Sequence, residues 1–333
     1  MAARTSAPPA PLGASAIRTA WPVLVALGAT AVAIRLVDPA GVAWLQNLLL
    51  VFLSLLVEAM PFVLVGAVVS AAIEVLVPAS AFARIGTLPR SLQLPAAAAA
   101  GVAFPVCECG SVPVARRLAR KGLAPGAAVT FMLAAPIVNP VVVASTFVAY
   151  RGRDALGVMV IGRLALGFLV AIAAGWVIGA VTGSEVLRER GGDRPEEEER
   201  ARTPRFFAHL GGDVVFMGRF LVVGAAIAAA IQTFVPQTFV DSVASAPVLG
   251  LLAMMALAFL MSLCSESDAF VAASFTAFGP AAQLSFLVFG PMVDLKLGAL
   301  YLGTFRRQAV GALVVVVAAT TLAAGLWLQV VVG

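Results

Sequence analysis

FPVCECGSVPVARRL, residues 104–118, sets two cysteines and a glutamate between two prolines in a chain of 333 residues, 61% of them apolar. Only 12% of the residues are charged and the mean hydropathy is +1.02, whereas a soluble domain carries about a quarter charged residues. The chain therefore reads as an integral membrane protein. Its charge-free runs include residues 39–57, 122–150, 164–184, 220–240, 269–293 and 308–333, and most reach the roughly 20 residues with which a helix crosses a bilayer core. Strict period-2 alternation, the mark of a membrane barrel, is missing. The expected class is all-α. The net charge of +5 implies no nucleic-acid partner, because the Lys and Arg residues fall in the connections between apolar runs, where topology accounts for them. The partner that composition does imply is the lipid bilayer.

Within such a chain the quoted stretch is costly unless it has a use. Residues two apart on an α-helix point about 200° away from each other, so Cys107 and Cys109 cannot serve one site from a continuous helix. On extended backbone they can. Pro105 and Pro113 bracket the stretch, Gly110 follows the second thiol, and Pro105 lacks the donor that a helix would need. Irregular backbone at membrane depth is tolerated only where it is buried in protein or lines a cavity, so CECGS reads as the tip of a broken helix beside a substrate path. CSESDAF, residues 264–270, repeats the theme with Cys264, Glu266 and Asp268. A carboxylate at the bilayer centre costs at least about 2.5 kcal/mol, which makes several of them a functional signal. Plainer readings stand beside these: a lone thiol as apolar filler, Glu108 turned to water, Pro136, Asn139 and Pro140 as a helix kink, Asp294 and Lys296 as a pair at a helix end. His209 reads as an interfacial residue, and Glu58 and Glu74 as carboxylates at different depths of one helix.

The chain also resembles itself. Residues 58–78 (EAMPFVLVGAVVSAAIEVLVP) align with residues 216–236 (FMGRFLVVGAAIAAAIQTFVP), so that Phe62, Gly66, Ile73 and Pro78 fall on Phe220, Gly224, Ile231 and Pro236. Cys107 falls near Cys264, and APIVNP at 135–140 on GPMVDL at 290–295, with Pro291 as a further helix breaker. Basic residues mark the cytoplasmic face. Placing Arg90 and the RRLARK cluster of residues 116–121 on that face requires the cysteine segment to be re-entrant, and the second half becomes the first inverted. Full crossings with eight or nine helices are the other solution. The expected organisation is a tail and first helix over residues 1–40, a membrane repeat over 41–183, a charged linker over 184–206 and a second repeat over 207–333. Each repeat holds three transmembrane helices and a broken or re-entrant hairpin. The segment around residues 21–34 reads as a membrane anchor rather than a cleaved signal peptide, since no small-residue cleavage site closes it.

The cysteine motif with its flanking prolines, the APIVNP that follows and the CSESDAF copy resemble the ArsP-type predicted permeases, a bacterial inner-membrane family, over nearly the whole chain from about Phe52. The resemblance implies a multi-pass inner-membrane permease, and characterised members export trivalent organoarsenicals such as methylarsenite, while others are associated with other metals. The residues suit that cargo on their own terms, because soft thiolates select soft metals and metalloids. Cys107, Cys109 and Cys264, with Asn139, are the candidate binding residues. No phosphate-loop motif is present, so transport would be gradient-driven or downhill, with Glu108, Glu266, Asp268 and Asp294 as candidate proton carriers. Neither an enzyme nor a cofactor is expected. A membrane thiol-disulfide carrier of the CcdA type, using one cysteine from each half, is the alternative.

Overall fold

In the computed structural model, which describes residues 43–76, 89–104, 106–181, 186–187, 202–234 and 247–332, the chain is helical throughout. The first half consists of α1 (Ala43–Leu76), α2 (Arg90–Ala100), α3 (Glu108–Arg120), α4 (Pro125–Val138), α5 (Pro140–Ala149) and α6 (Leu156–Val181). The second consists of α7 (Arg202–Phe234), α8 (Pro247–Met261), α9 (Asp268–Ser274), α10 (Pro280–Phe289), α11 (Leu295–Thr304) and α12 (Arg307–Val332). Among the described residues, each half thus has a long helix first, shorter ones between and a long helix last. Among the described residues five stretches are long and apolar enough to cross a membrane: Ala43–Leu76, Pro125–Ala149, Leu156–Val181, Thr203–Phe234 and Arg307–Val331. The first helix and tail expected over residues 1–40, Arg84, Pro105 and most of the charged linker lie outside the described residues. Residues from Asn47 onward form one compact unit.

The core is built around α4. Its sequence is apolar on every side, and every residue after Pro125 is buried, as such a helix requires. The helices α2, α3, α5 and α6 pack on it, and in the second half α8, α9 and α12 pack on α10; α6 and α12 join the halves. The direction of the short helices is fixed by their contacts. A side chain at Gly101, just past α2, would strike Ala135 near the end of α4, while Gln93 and Leu94 line one cavity with Ala124–Ala127 at its start. Ser111, early in α3, donates to the Met132 carbonyl at 3.0 Å. α2 therefore runs along α4 and α3 runs back, so the chain leaves at the level where it entered. In the second half, Ala258 near the end of α8 meets Gly290 at the end of α10.

The breaks differ from expectation in one respect. Cys107 has the extended backbone expected of it, with φ −73° and ψ 175°, but the helix begins at the next residue and runs through Cys109, Gly110 and Pro113. Pro136 likewise sits inside α4. Gly110, Pro113 and Pro136 are thus not helix breakers here. The breaks are carried instead by residues 104–107, by Asn139–Pro140 between α4 and α5, by residues 262–267, and by the Gly290–Asp294 turn that contains Pro291. Pro113, sixth in α3, and Pro136, twelfth in α4, each forgo one helical hydrogen bond, a loss that helices packed inside a membrane protein tolerate. Gly110 has another purpose: the Cβ of any residue at Gly66 of α1 would collide with its backbone, so two glycines let these helices touch, as small residues do in membranes.

Asn139 and Asp294, aligned in the sequence, do the same local work. The Asn139 side chain accepts the Val141 N–H at 2.9 Å and caps α5, and that of Asp294 accepts the Leu297 N–H at 2.6 Å and caps α11. Among the described residues the one pairing of extended chain joins Leu187 to Phe305, with the Arg306 N–H donating to the Val186 carbonyl at 3.1 Å.

Candidate functional site

The two main breaks, 157 residues apart at their cysteines, meet in the interior. Cys107 ends the first and Cys264 opens the second, and both thiols are free. One ligand atom from each of Cys107, Glu108 and Cys264 lies within 4.8 Å of the others. Cys107 is also within side-chain reach of Cys109. All three thiols and Glu108 are buried, with Cys107 at 0% and Glu108 at 1% exposure.

What makes a buried carboxylate tenable is the shell around it. Glu108 is the first residue of α3, where the helix N-terminus favours an anion. Its Oε2 accepts from the Ser265 hydroxyl at 3.0 Å and from the Ser265 N–H at 3.4 Å, and its Oε1 lies 3.6 Å from Lys296 Nζ. Asp268 is the first residue of α9 and meets Arg163 of α6 at 2.7 Å. Each break helix therefore begins with an acid whose counter-ion comes from the opposite half. Arg163 also donates to the Thr146 hydroxyl at 2.8 Å and the Ser265 carbonyl at 3.1 Å, so one guanidinium fork holds the second break against α5. Lys296 stands between two acids, 3.8 Å from Asp294. Glu266 accepts from Ser265 at 3.4 Å and keeps a buried Oε1 without a hydrogen-bond partner. The hydroxyl of Ser267 donates to Glu58 of α1.

The geometry sorts the residues named from sequence. Cys107, Cys109, Glu108, Cys264 and Glu266 gather in one place, and Asp268 and Asp294 stand at its edge in ion pairs. The side chain of Asn139 caps α5. Four residues of the site went unread: Arg163, Ser265, Ser267 and the contact of Glu58. Arg163 had a legible signal, being the one charge between Ala155 and Ser184, since a lone ionised group inside an apolar helix is a functional mark. The serines had none, because a serine beside a thiol is common in any loop.

The site's chemistry joins soft sulfur ligands to a carboxylate in a water-poor interior, on backbone broken in both halves. The family model described as "Predicted permease" (ArsP_1) matches residues 44–330. This chain belongs to that family. The permease is 38% identical over 286 residues to the UPF0718 protein YcgR of Bacillus subtilis (strain 168), a match covering 83% of this chain and 95% of that protein. It is 35% identical over 254 residues, 74% of this chain and 83% of the relative, to a protein of Streptococcus mutans serotype c (strain ATCC 700610 / UA159). That relative's name proposes it as a subunit of a two-component membrane permease complex. No solved structure matches the permease. A multi-pass helical membrane permease is thus the identity that fold and family support together.

Proposed function

We propose that this permease is a secondary transporter of the bacterial inner membrane that exports a small thiophilic solute, a trivalent organoarsenical such as methylarsenite, held between its two broken segments. The observation that carries the reading is the meeting of Cys107 and Cys264, one thiol from each half, with Glu108 inside a 4.8 Å cluster. A methylated As(III) centre has two exchangeable positions, and two thiols bind it while leaving release possible; soft ligands reject the hard cations that abound in cells. Cys109 supplies a third sulfur to receive the cargo as it moves. Glu108, Glu266, Asp268 and Asp294 each keep one buried oxygen without a hydrogen-bond partner; Asp268 and Asp294 are held in ion pairs by Arg163 and Lys296, so Glu266, whose described contact is the Ser265 hydroxyl, suits proton carriage better.

The same reading takes the halves as inverted repeats. Its support is the matching order of six helices and the opposed course of the aligned helices α1 and α7. Asn47 of α1 meets Thr233 near the end of α7, and Ser70 meets Asp213 near its start. Contacts between the halves are reciprocal too, α3 packing on α11 and α9 on α5. In an inverted pair the two breaks enter from opposite faces and meet at the middle.

The test is uptake of methylarsenite, arsenite and zinc into everted vesicles, with and without a proton gradient. Wild type should accumulate the organic arsenical, and Cys107→Ser and Cys264→Ser should reduce the rate at least about tenfold, the loss of one soft ligand at a two-thiol site. Equal accumulation by wild type and both variants sinks the thiol site. A second reading has a specific observation behind it, since a close Cys107–Cys264 pair with one thiol from each half is also what a thiol-disulfide carrier needs. Transfer of a disulfide to a partner thiol, in vesicles that move no arsenical, would favour it.

A further inference from the structure

A permease whose cargo site is sealed has to part its helices at one end to admit or release cargo, and the thiols here are sealed, Cys264 at 2% exposure. The strongest tie outside the site lies at the far end of α3. Arg117 stands ten residues beyond Cys107, about 15 Å along the helix. Its guanidinium reaches Glu74 of α1 at 3.1 Å and Asp213 of α7 at 3.1 Å, and its Nε donates to the Ser70 hydroxyl at 3.1 Å. Ser70 in turn donates to the same Asp213 oxygen at 2.8 Å. One turn on, Lys121 donates to the carbonyls of Ile73 and Glu74 at 2.8 and 2.7 Å, a cation closing the last turn of a helix. Three helices are tied at one level by this single cluster.

α1 links that level to the cargo site. Midway between Glu58 and Glu74, Gly66 rests on Gly110 of α3 with no side chain between the backbones, a contact about which one helix can tilt on the other. Eight residues before Gly66, Glu58 accepts from Ser267 in the second break; eight residues after it, Glu74 is in the Arg117 cluster. The aligned positions of α7 offer no counterpart. Ala228 stands for Ser70 and Gln232 for Glu74, and Gln232 makes a neutral hydrogen bond to the Met261 carbonyl at 3.0 Å. Among the described residues, the aligned positions of α7 carry no such charged tie.

We infer that Ser70, Glu74, Arg117 and Asp213 form the latch of one gate, and that α1 is a lever pivoting on the Gly66–Gly110 contact, connecting the latch to the cargo loop through Glu58 and Ser267. The inference rests on the permease reading above. It makes one gate ionic and strong, the other neutral and weak.

The three native thiols report on it. Full-length protein in right-side-out and inside-out vesicles is reacted with a membrane-impermeant maleimide, and labelling of Cys107 and Cys264 is followed by mass spectrometry. Asp213→Asn and Glu74→Gln should each accelerate labelling from the Arg117 face on the order of tenfold, since removing one partner of a buried pair is what weakens it most. Labelling from the other face should not change. The exchange Arg117→Asp with Asp213→Arg should slow labelling toward the wild-type rate. Rates in both single variants no faster than wild type overturn the latch, and so does an equal rise from both faces, which is general loosening. If Asp213→Asn does not accumulate, Glu74→Gln, at the more exposed end of the cluster, carries the test alone. Flux in the same vesicles separates the two readings. Unchanged labelling with intact uptake defeats only the latch, whereas faster labelling in protein that moves none of the three solutes defeats the thiophilic-cargo reading and leaves the latch standing.

Discussion

Arg163 shows what single residues contribute. It is buried in α6 and its fork joins Asp268, Thr146 and the Ser265 carbonyl, so Arg163→Met strands a buried carboxylate. The expected cost is about 3–5 kcal/mol, the range for breaking one side of a buried pair, read as a drop in melting temperature in detergent. Arg163→Lys should recover only part of it, because an ammonium cannot span three acceptors in a plane. A neutral double variant, Arg163→Met with Asp268→Leu, should be more stable than Arg163→Met alone. Gly66→Ala tests the opposite kind of fault, excess bulk. Its methyl group would meet the Gly110 backbone, and overpacking of this sort costs about 1–3 kcal/mol. At this scale the sequence was legible where chemistry is rare: thiols and carboxylates in an apolar run announce themselves. The hydroxyls of Ser265 and Ser267 did not, since their role depends on which distant carboxylate the fold brings to them.

At the scale of the element, the breaks govern. Asp294 both starts α11 through its bond to the Leu297 N–H and faces Lys296, and two substitutions separate these functions. Asp294→Asn keeps the N-cap but takes one of two acids from the buried Lys296, which retains Glu108 at 3.6 Å, while Asp294→Ala loses the cap as well, at a further cost of about 1 kcal/mol, measured by chemical or thermal unfolding of the purified protein. The existence of broken segments was readable from FPVCECGSVPV, but their registers were not. Proline and glycine mark where a helix has trouble, and whether it stops there depends on the neighbours that re-satisfy the backbone. Pro113 and Pro136 are accommodated inside helices, and the chain breaks a few residues earlier or later. The first-half break also leaves Cys107 extended and Cys109 helical, so the two thiols are neighbours by contact rather than by a shared direction of backbone.

For the whole molecule, composition was enough for the all-α membrane class, and pairing between the halves is what only three dimensions could supply. Inversion predicts that reporters inserted at Gly122, between α3 and α4, and at Gly279, between α9 and α10, fall on opposite faces of the membrane. Reporters on one face would instead make the repeats parallel. The crossed ion pairs have a consequence of a different sort. Glu108 of the first half answers Lys296 of the second, and Asp268 of the second answers Arg163 of the first, so each half carries one lock and one key for the other. A gene cut within the linker, between residues 190 and 200, should yield two fragments that find each other when co-expressed and co-purify through a tag on one. Reversing one pair in a single fragment should abolish that recognition, and reversing it in both should restore it. In those terms the buried charges are an address that lets two greasy half-proteins distinguish each other from every other apolar helix in the membrane.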